Sequence, residues 1–212
     1  MIEDTTLVAE DQSHSNARQK PIELLNVRTL DCVILVDHSN IVIGGQQCSA
    51  LRRGLSAVEG AVATDWSWRF DFARGLDHFA DNRPVRAAVL VGSRPPSNDA
   101  VWEKGRQGGF QVITHPRNSF NKEKGIDAEL SIQGALILAE TNPPGVLVIA
   151  SGDSDFVPLV NLAHSKGWIV EMAAFKSSYH PDGPMALAVD KIRPLDGCLD
   201  LIGFTESNYS RE

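Results

Sequence analysis

Apolar residues in this chain come in short unbroken runs, and each run stops on a polar cluster. Cys32 to Val36, Val85 to Val91, Phe110 to Thr114, Val146 to Ala150 and Trp168 to Phe175 follow this pattern. Such Val- and Ile-rich runs are the mark of strands buried on both faces, as in a parallel sheet. The run Val146 to Ala150, bounded by Pro143-Pro144-Gly145 and Ser151-Gly152, reads as a central strand. Between the runs the apolar period lengthens to that of a helix. Trp68, Phe72, Leu76 and Phe79 predict a helix that starts at Thr64 or Asp65 and ends near Asp81-Asn82. Further helices are predicted from about Asn98 to Gln107, from an Asp127 N-cap to about Glu140 with Leu130, Ile137 and Leu138 facing inward, and from Phe156 to about Lys166. In the last of these Pro158 sits in the first turn and Gly167 closes the end. A short helix is expected from Met185 to about Lys191 and an edge segment at Leu199 to Ile202, while Ile41 to Gly60 stays ambiguous, with a turn at Gly44-Gly45.

The alternation of strand and helix implies right-handed crossovers and a three-layer α/β sandwich with a mainly parallel central sheet. Residues 1–28 mix polar and charged types without periodicity and read as a disordered tail; 29–203 form the single domain and 204–212 a C-terminal tail. At 212 residues, 42% hydrophobic and 22% charged, the composition is that of an ordinary globular domain. A net charge of −7 argues against broad electrostatic capture of nucleic acid, so a polyanion needs a local basic patch or bound cations. The three cysteines are widely spaced without a C-x-x-C pair, which speaks against a disulfide framework or zinc site and for a reducing, cytoplasmic setting. No run reaches transmembrane length, so no membrane association is expected.

Carboxylates recur where the predicted strands end. Asp37 follows the first run, Asp153 and Asp155 follow the central one, and Asp127 opens a helix. In open parallel sheets ligand sites lie beyond the carboxyl ends of the strands. Each acid alone is explained by capping or turn formation. Together they would repel one another strongly, and a few hard oxygen donors are what Mg²⁺ or Mn²⁺ takes. The polar loop from His115 to Gly125, with Arg117, Lys122 and Lys124, reads as a solvated loop by itself; its place before Asp127 suits contacts to phosphate. Trp66, Trp68 and Arg69 could stack on bases, but an aromatic stripe at this spacing is more often core. His38 adjoins Asp37, and neighbouring residues at a strand end point to opposite sides.

Asp37-x-x-Asn40, Lys124-Gly125-Ile126-Asp127, the block Ser151-Gly152-Asp153-Ser154-Asp155-Phe156-Val157-Pro158-Leu159-Val160 and Gly167-x-x-Val170-Glu171 resemble the signature of the NYN domains, in order and spacing, over about Asp31 to Ile202. NYN domains are metal-dependent ribonuclease domains of the PIN-like superfamily. The resemblance implies a Rossmann-like fold with an acidic pocket at the strand ends, catalytic and metal-binding acids at Asp37, Asp127, Asp153 and Asp155, and Asn40 as a polar neighbour. It departs at Gln133, where many members carry an Asp; Glu129 is the nearest substitute.

The expected chemistry is hydrolysis of RNA phosphodiesters with Mg²⁺ or Mn²⁺. Asn40, Arg117, Lys122, Lys124 and Ser151 are the candidate substrate contacts. RNA is the expected partner, with a second copy of the chain or another protein left open. Two alternatives stand beside this reading. One is a weak or inactive member that binds RNA or protein, in line with Gln133 and the acidic charge. The other is a haloacid-dehalogenase-type phosphatase, which needs Asp-x-Asp after the first strand and meets Ser39 instead.

Overall fold

The computed structural model describes residues 27–57, 60–94, 99–117 and 125–207. The N-terminal tail, apart from its last two residues, and Lys122 and Lys124 lie outside the described residues.

The strand runs build one sheet. β1 (Cys32–Asp37), β3 (Val85–Arg94), β4 (Gln111–Pro116), β5 (Val146–Ala150), β6 (Ile169–Ala174) and β7 (Lys191–Pro194) lie in the order β4-β3-β1-β5-β6-β7, every neighbouring pair parallel. All residues of β1 and β5 are buried, which is why neither alternates apolar with polar. From β1 the chain first builds outward through β3 and β4, then returns to the other side of β1 with β5. The switch point therefore falls between β1 and β5, where Val36 stands opposite Ala150. Odd and even positions of β1 feed two separate cores. Ile34 and Val36 pack with α1 (His38–Arg52), α2 (Phe72–Ala80) and α3 (Ala100–Gln107); Val33 and Leu35 pack with α4 (Ile126–Glu140), α5 (Val157–Ser165) and α6 (Pro184–Ala188). This is the expected three-layer α/β sandwich. No helix among the described residues is long and apolar enough to cross a membrane.

The local expectations fail at four places, each for a tertiary reason. The ambiguous stretch after Asp37 is the helix α1, and Gly44-Gly45 lies inside it instead of turning. A Cβ on Gly44 would stand 2.7 Å from the Phe175 ring, and one on Gly45 2.2 Å from the Trp68 ring, so the glycines let two aromatic rings seat against the helix backbone. The helix expected from Thr64 or Asp65 is instead a short strand, β2 (Trp68–Phe70), followed by α2 with Asp71 as its N-cap. Trp68 belongs to the core, whereas Trp66 is exposed. Asp65 is buried and accepts hydrogen bonds from Ser49 Oγ at 2.6 Å and Arg53 Nη1 at 2.8 Å. Burial alone would raise its pKa, but the Ser49, Ser67 and Arg53 bonds outweigh it and hold the carboxyl at about 2. The helix expected to run to Lys191 ends at Ala188, and Lys191 begins β7. Leu199 to Ile202 is a helical turn, α7 (Leu199–Ile202), and β8 (Gly203–Thr205) pairs antiparallel with β2. Phe204 and Thr205 thus belong to the fold and not to a C-terminal tail.

Candidate active site

The cavity at the switch point, about 400 Å³, is walled by Asp37, Ser39 and Asn40, by the start of α4, by Asp153, and by the turn at Ser177-Ser178. Asp37 ends β1 and caps α1. Its Oδ1 accepts from Ser39 Oγ at 2.8 Å and from the Asn40 amide at 3.1 Å, and its Oδ2 accepts from Ser151 Oγ at 3.4 Å. Asn40 Oδ1 in turn accepts from the Gly152 amide at 3.3 Å, and Ser151 Oγ accepts from the Asp153 amide at 3.3 Å. These bonds tie the ends of β1 and β5 together. Gly152 is needed for the fourth wall: a Cβ there would stand 2.4 Å from the Ser178 carbonyl oxygen.

Asp153 follows β5 and caps a 3-10 turn over Ser154–Phe156, its Oδ1 accepting from the Asp155 amide at 2.9 Å. The turn presents Asp153 and Asp155 together. Asp127 comes from the first turn of α4, where the exposed amides of a helix start favour negative charge. It is not the cap of that helix: Gly125, at φ +80°, holds the N-cap position, in a conformation that suits glycine. Carboxylate oxygens of Asp127, Asp153 and Asp155 lie within 4.8 Å of one another. Oxygens on opposite sides of an octahedral Mg²⁺ stand about 4.2 Å apart. These three acids are the ones that could hold a cation between them. Asp37 lines the same cavity, but its oxygens are engaged by Ser39, Asn40 and Ser151 and it stands outside that group of three.

The other predicted residues fall around this centre. Ser151 is buried and Asn40 half-buried, and both hold the strand ends in place as described. Arg117 is exposed just past β4, the outer strand of the sheet. His38 turns to the opposite side of α1 and packs on Trp102, with ring centroids 4.7 Å apart; burial lowers its imidazole pKa to about 4. Glu171, at the end of the Gly167-x-x-Val170-Glu171 match, is not at the cavity but buried among Arg83, Arg193 and Lys191. Ser39, which donates to Asp37, is one contributor that sequence reasoning missed. Ser177 and Ser178 carried no signal at all, because only the packing on Gly152 brings them there.

Gln133 does not reach toward the three acids. Its Nε2 donates to Glu129 Oε1 at 2.9 Å, and Glu129 Oε2 lies 3.3 Å from His115 Nε2. Glu129 Oε1 is thereby occupied by Gln133. Gln133→Asp replaces a donor with a carboxylate facing Glu129, and the thermal midpoint is expected to fall by about 2–4 °C, with Mn²⁺ and with chelator alike. A rise in Mn²⁺ alone would instead put residue 133 in the metal-binding set.

Comparison with known proteins bears on the same region. The crystal structure of a protein of unknown function from Vibrio parahaemolyticus RIMD 2210633 is similar, with a TM-score of 0.58 at 17% identity, covering 84% of this chain and 98% of that one. At that identity the likeness speaks for the fold alone. No curated protein matches the sequence. The NYN domain matches residues 32–195, from the first residue of β1 to just past β7, and takes in every acid of the cavity. The chain therefore belongs to the NYN domain family, a nuclease-type family whose members are generally ribonucleases.

Proposed function

We propose that this protein is a metal-dependent ribonuclease that hydrolyses RNA phosphodiester bonds at the cavity between β1 and β5. The observation that carries the reading is the convergence of Asp127, Asp153 and Asp155 within 4.8 Å in a region whose adjoining cavity has no Lys or Arg among its described lining residues. Carboxylates so placed repel one another unless a cation is shared among them. Asp127, Asp153 and Asp155 would hold Mg²⁺ or Mn²⁺, which supplies water activation and charge stabilisation for phosphoryl chemistry. Asp37, fixed by Ser39, Asn40 and Ser151, keeps a fourth carboxylate at the rim and orients the strand ends. Ser151 and Asn40 act through that positioning. Arg117, Lys122 and Lys124 are our candidates for the RNA backbone, because the loop that carries them leads into α4 at the cavity. The acting domain in this reading runs from residue 29 through β8.

A second reading, a member that binds RNA or protein with little turnover, is favoured by the net charge of −7. Single-stranded RNA and a phosphate monoester, each assayed with Mn²⁺ and with chelator, separate the alternatives. RNA cleavage that appears only with the metal is expected. Retention of RNA without cleavage points to the second reading, and monoester hydrolysis without RNA cleavage overturns both.

A further inference from the structure

A second cavity, of about 580 Å³, lies on the other side of α1 and is larger than the acidic one. Its volume is within the range of small-ligand pockets, about 300–1,000 Å³. The two share a boundary in sequence: Asp37 lines the first cavity and His38, the next residue, lines the second. α1 divides them, with Asn40, Ile43 and Gln47 facing one and Val42 and Gln46 the other. The second cavity is walled by flat apolar surface from Trp68, Phe70 and Phe72.

Gln46 breaks this apolar lining. It is 7% exposed, faces the cavity, and its side-chain amide has no hydrogen-bond partner among the described residues. Its amide is thus left available to a ligand in the cavity that brings a complementary donor and acceptor. The His38 imidazole, stacked on Phe72 and tilted at 60° to Trp102, also has no hydrogen-bond partner among the described residues. At the mouth stand Lys104, whose ammonium has no ion pair among the described residues, and Arg69, which is paired with Glu206 at 2.9 Å. A planar ring with hydrogen-bonding edges, attached to an anionic group, matches apolar walls, an amide in the floor and a cation at the mouth.

We propose that this cavity receives a nucleobase, its edge read by Gln46 and its phosphate met by Lys104. The assignment rests on the ribonuclease reading only for the source of the base: a nucleotide flanking the scissile phosphate in a single strand, or a free mononucleotide. Amide side chains are well suited to base edges, since each offers one donor and one acceptor side by side.

The test is equilibrium binding in chelator, so that the acidic site is not engaged, with adenosine, the four nucleoside monophosphates, ribose 5-phosphate and short homopolymeric RNAs. Base-bearing ligands are expected to bind and ribose 5-phosphate to bind at least about tenfold more weakly. Gln46→Leu, close in volume, is expected to weaken the preferred base by about tenfold. Lys104→Ala, on the exposed face of α3, is expected to abolish the advantage of the monophosphate over the nucleoside while leaving the melting midpoint unchanged. Oligomers that bind tenfold tighter than the monomer assign the base to a strand; equal affinities assign it to a free nucleotide. Ribose 5-phosphate binding as well as the nucleotides, or Gln46→Leu and Lys104→Ala both binding like the parent, overturns the proposal. The failure of the ribonuclease reading is separately visible. Base binding that depends on Gln46 in a protein that cleaves no RNA with Mn²⁺ removes that reading and leaves this one standing. Cleavage with the same ratio among homopolymers in parent and Gln46→Leu does the reverse.

Discussion

Asp153→Asn is expected to lower metal-dependent RNA cleavage by more than about a hundredfold while the protein stays folded. The substitution keeps the shape of the side chain and its Oδ1, so the Asp155 amide retains its acceptor at 2.9 Å and the turn after β5 stays closed. What is lost is the charge. With Asp127 and Asp155 alone, the cluster offers a cation two carboxylates in place of three. Removing one of three clustered acids also relieves repulsion, so without metal the variant should be no less stable than the parent. With Mn²⁺ the parent should gain more in its melting midpoint than the variant, because an ion that binds only the folded state stabilises it by mass action. Turnover and thermal midpoints of the two proteins, each with Mn²⁺ and with chelator, test this together. Unchanged turnover takes Asp153 out of the site.

Glu171→Ala should unfold the protein at a midpoint about 10 °C lower, although residue 171 lies away from the acidic cavity. Glu171 is 1% exposed on β6 and receives Arg83 Nη2 at 2.9 Å, Arg193 Nη1 at 3.1 Å and Lys191 Nζ at 3.4 Å. Arg83 is itself buried and donates further to the carbonyls of Phe79 and Ala80 at the end of α2. Truncating Glu171 leaves that guanidinium buried without its counter-charge, a loss of about 3–5 kcal/mol. Replacing both Arg83 and Glu171 with Met should recover a large part of it, since the cost lies in the unpaired charge. The pH dependence has a definite sign. Burial works to raise the Glu171 pKa, but the Arg83 hydrogen bond and the three cations outweigh it and hold the carboxyl below its ordinary value. A carboxyl with a lowered folded pKa contributes stability that is present above its unfolded value, about 4.3, and is lost as pH falls through the folded value. Between neutral pH and pH 3 the parent should therefore lose more stability than Glu171→Ala. Equal midpoints for the two at neutral pH would show that the network contributes nothing net.

Periodicity marked five of the six strands of the central sheet and missed β7; a strand buried on both faces has to be apolar along its length, as β1 is up to Asp37 and β5 is throughout. The four acids were legible for a related reason: a carboxylate at the end of such a strand breaks the pattern abruptly, and Asp37 and Asp153 stand at those breaks. Asp127 and Asp155 follow from helix-start and turn chemistry, which is also local. What the chain could not declare depends on residues distant in sequence. Gly44 and Gly45 look like a turn until Phe175 and Trp68 are laid against them. Trp68 and Phe72 share a helical period yet sit on a strand and a helix, because β8, more than a hundred residues away, supplies the pairing for β2. Gln46 carries no sequence signal, as any helix surface bears glutamines, and it comes to line a cavity only once β2 and α3 pack around it. Which acids meet, and which are already held by Ser39, Asn40 and Ser151, was likewise settled by packing. Local chemistry can place a carboxylate at the end of an element, but the few ångströms that decide whether it shares a cation are set by how the elements stack.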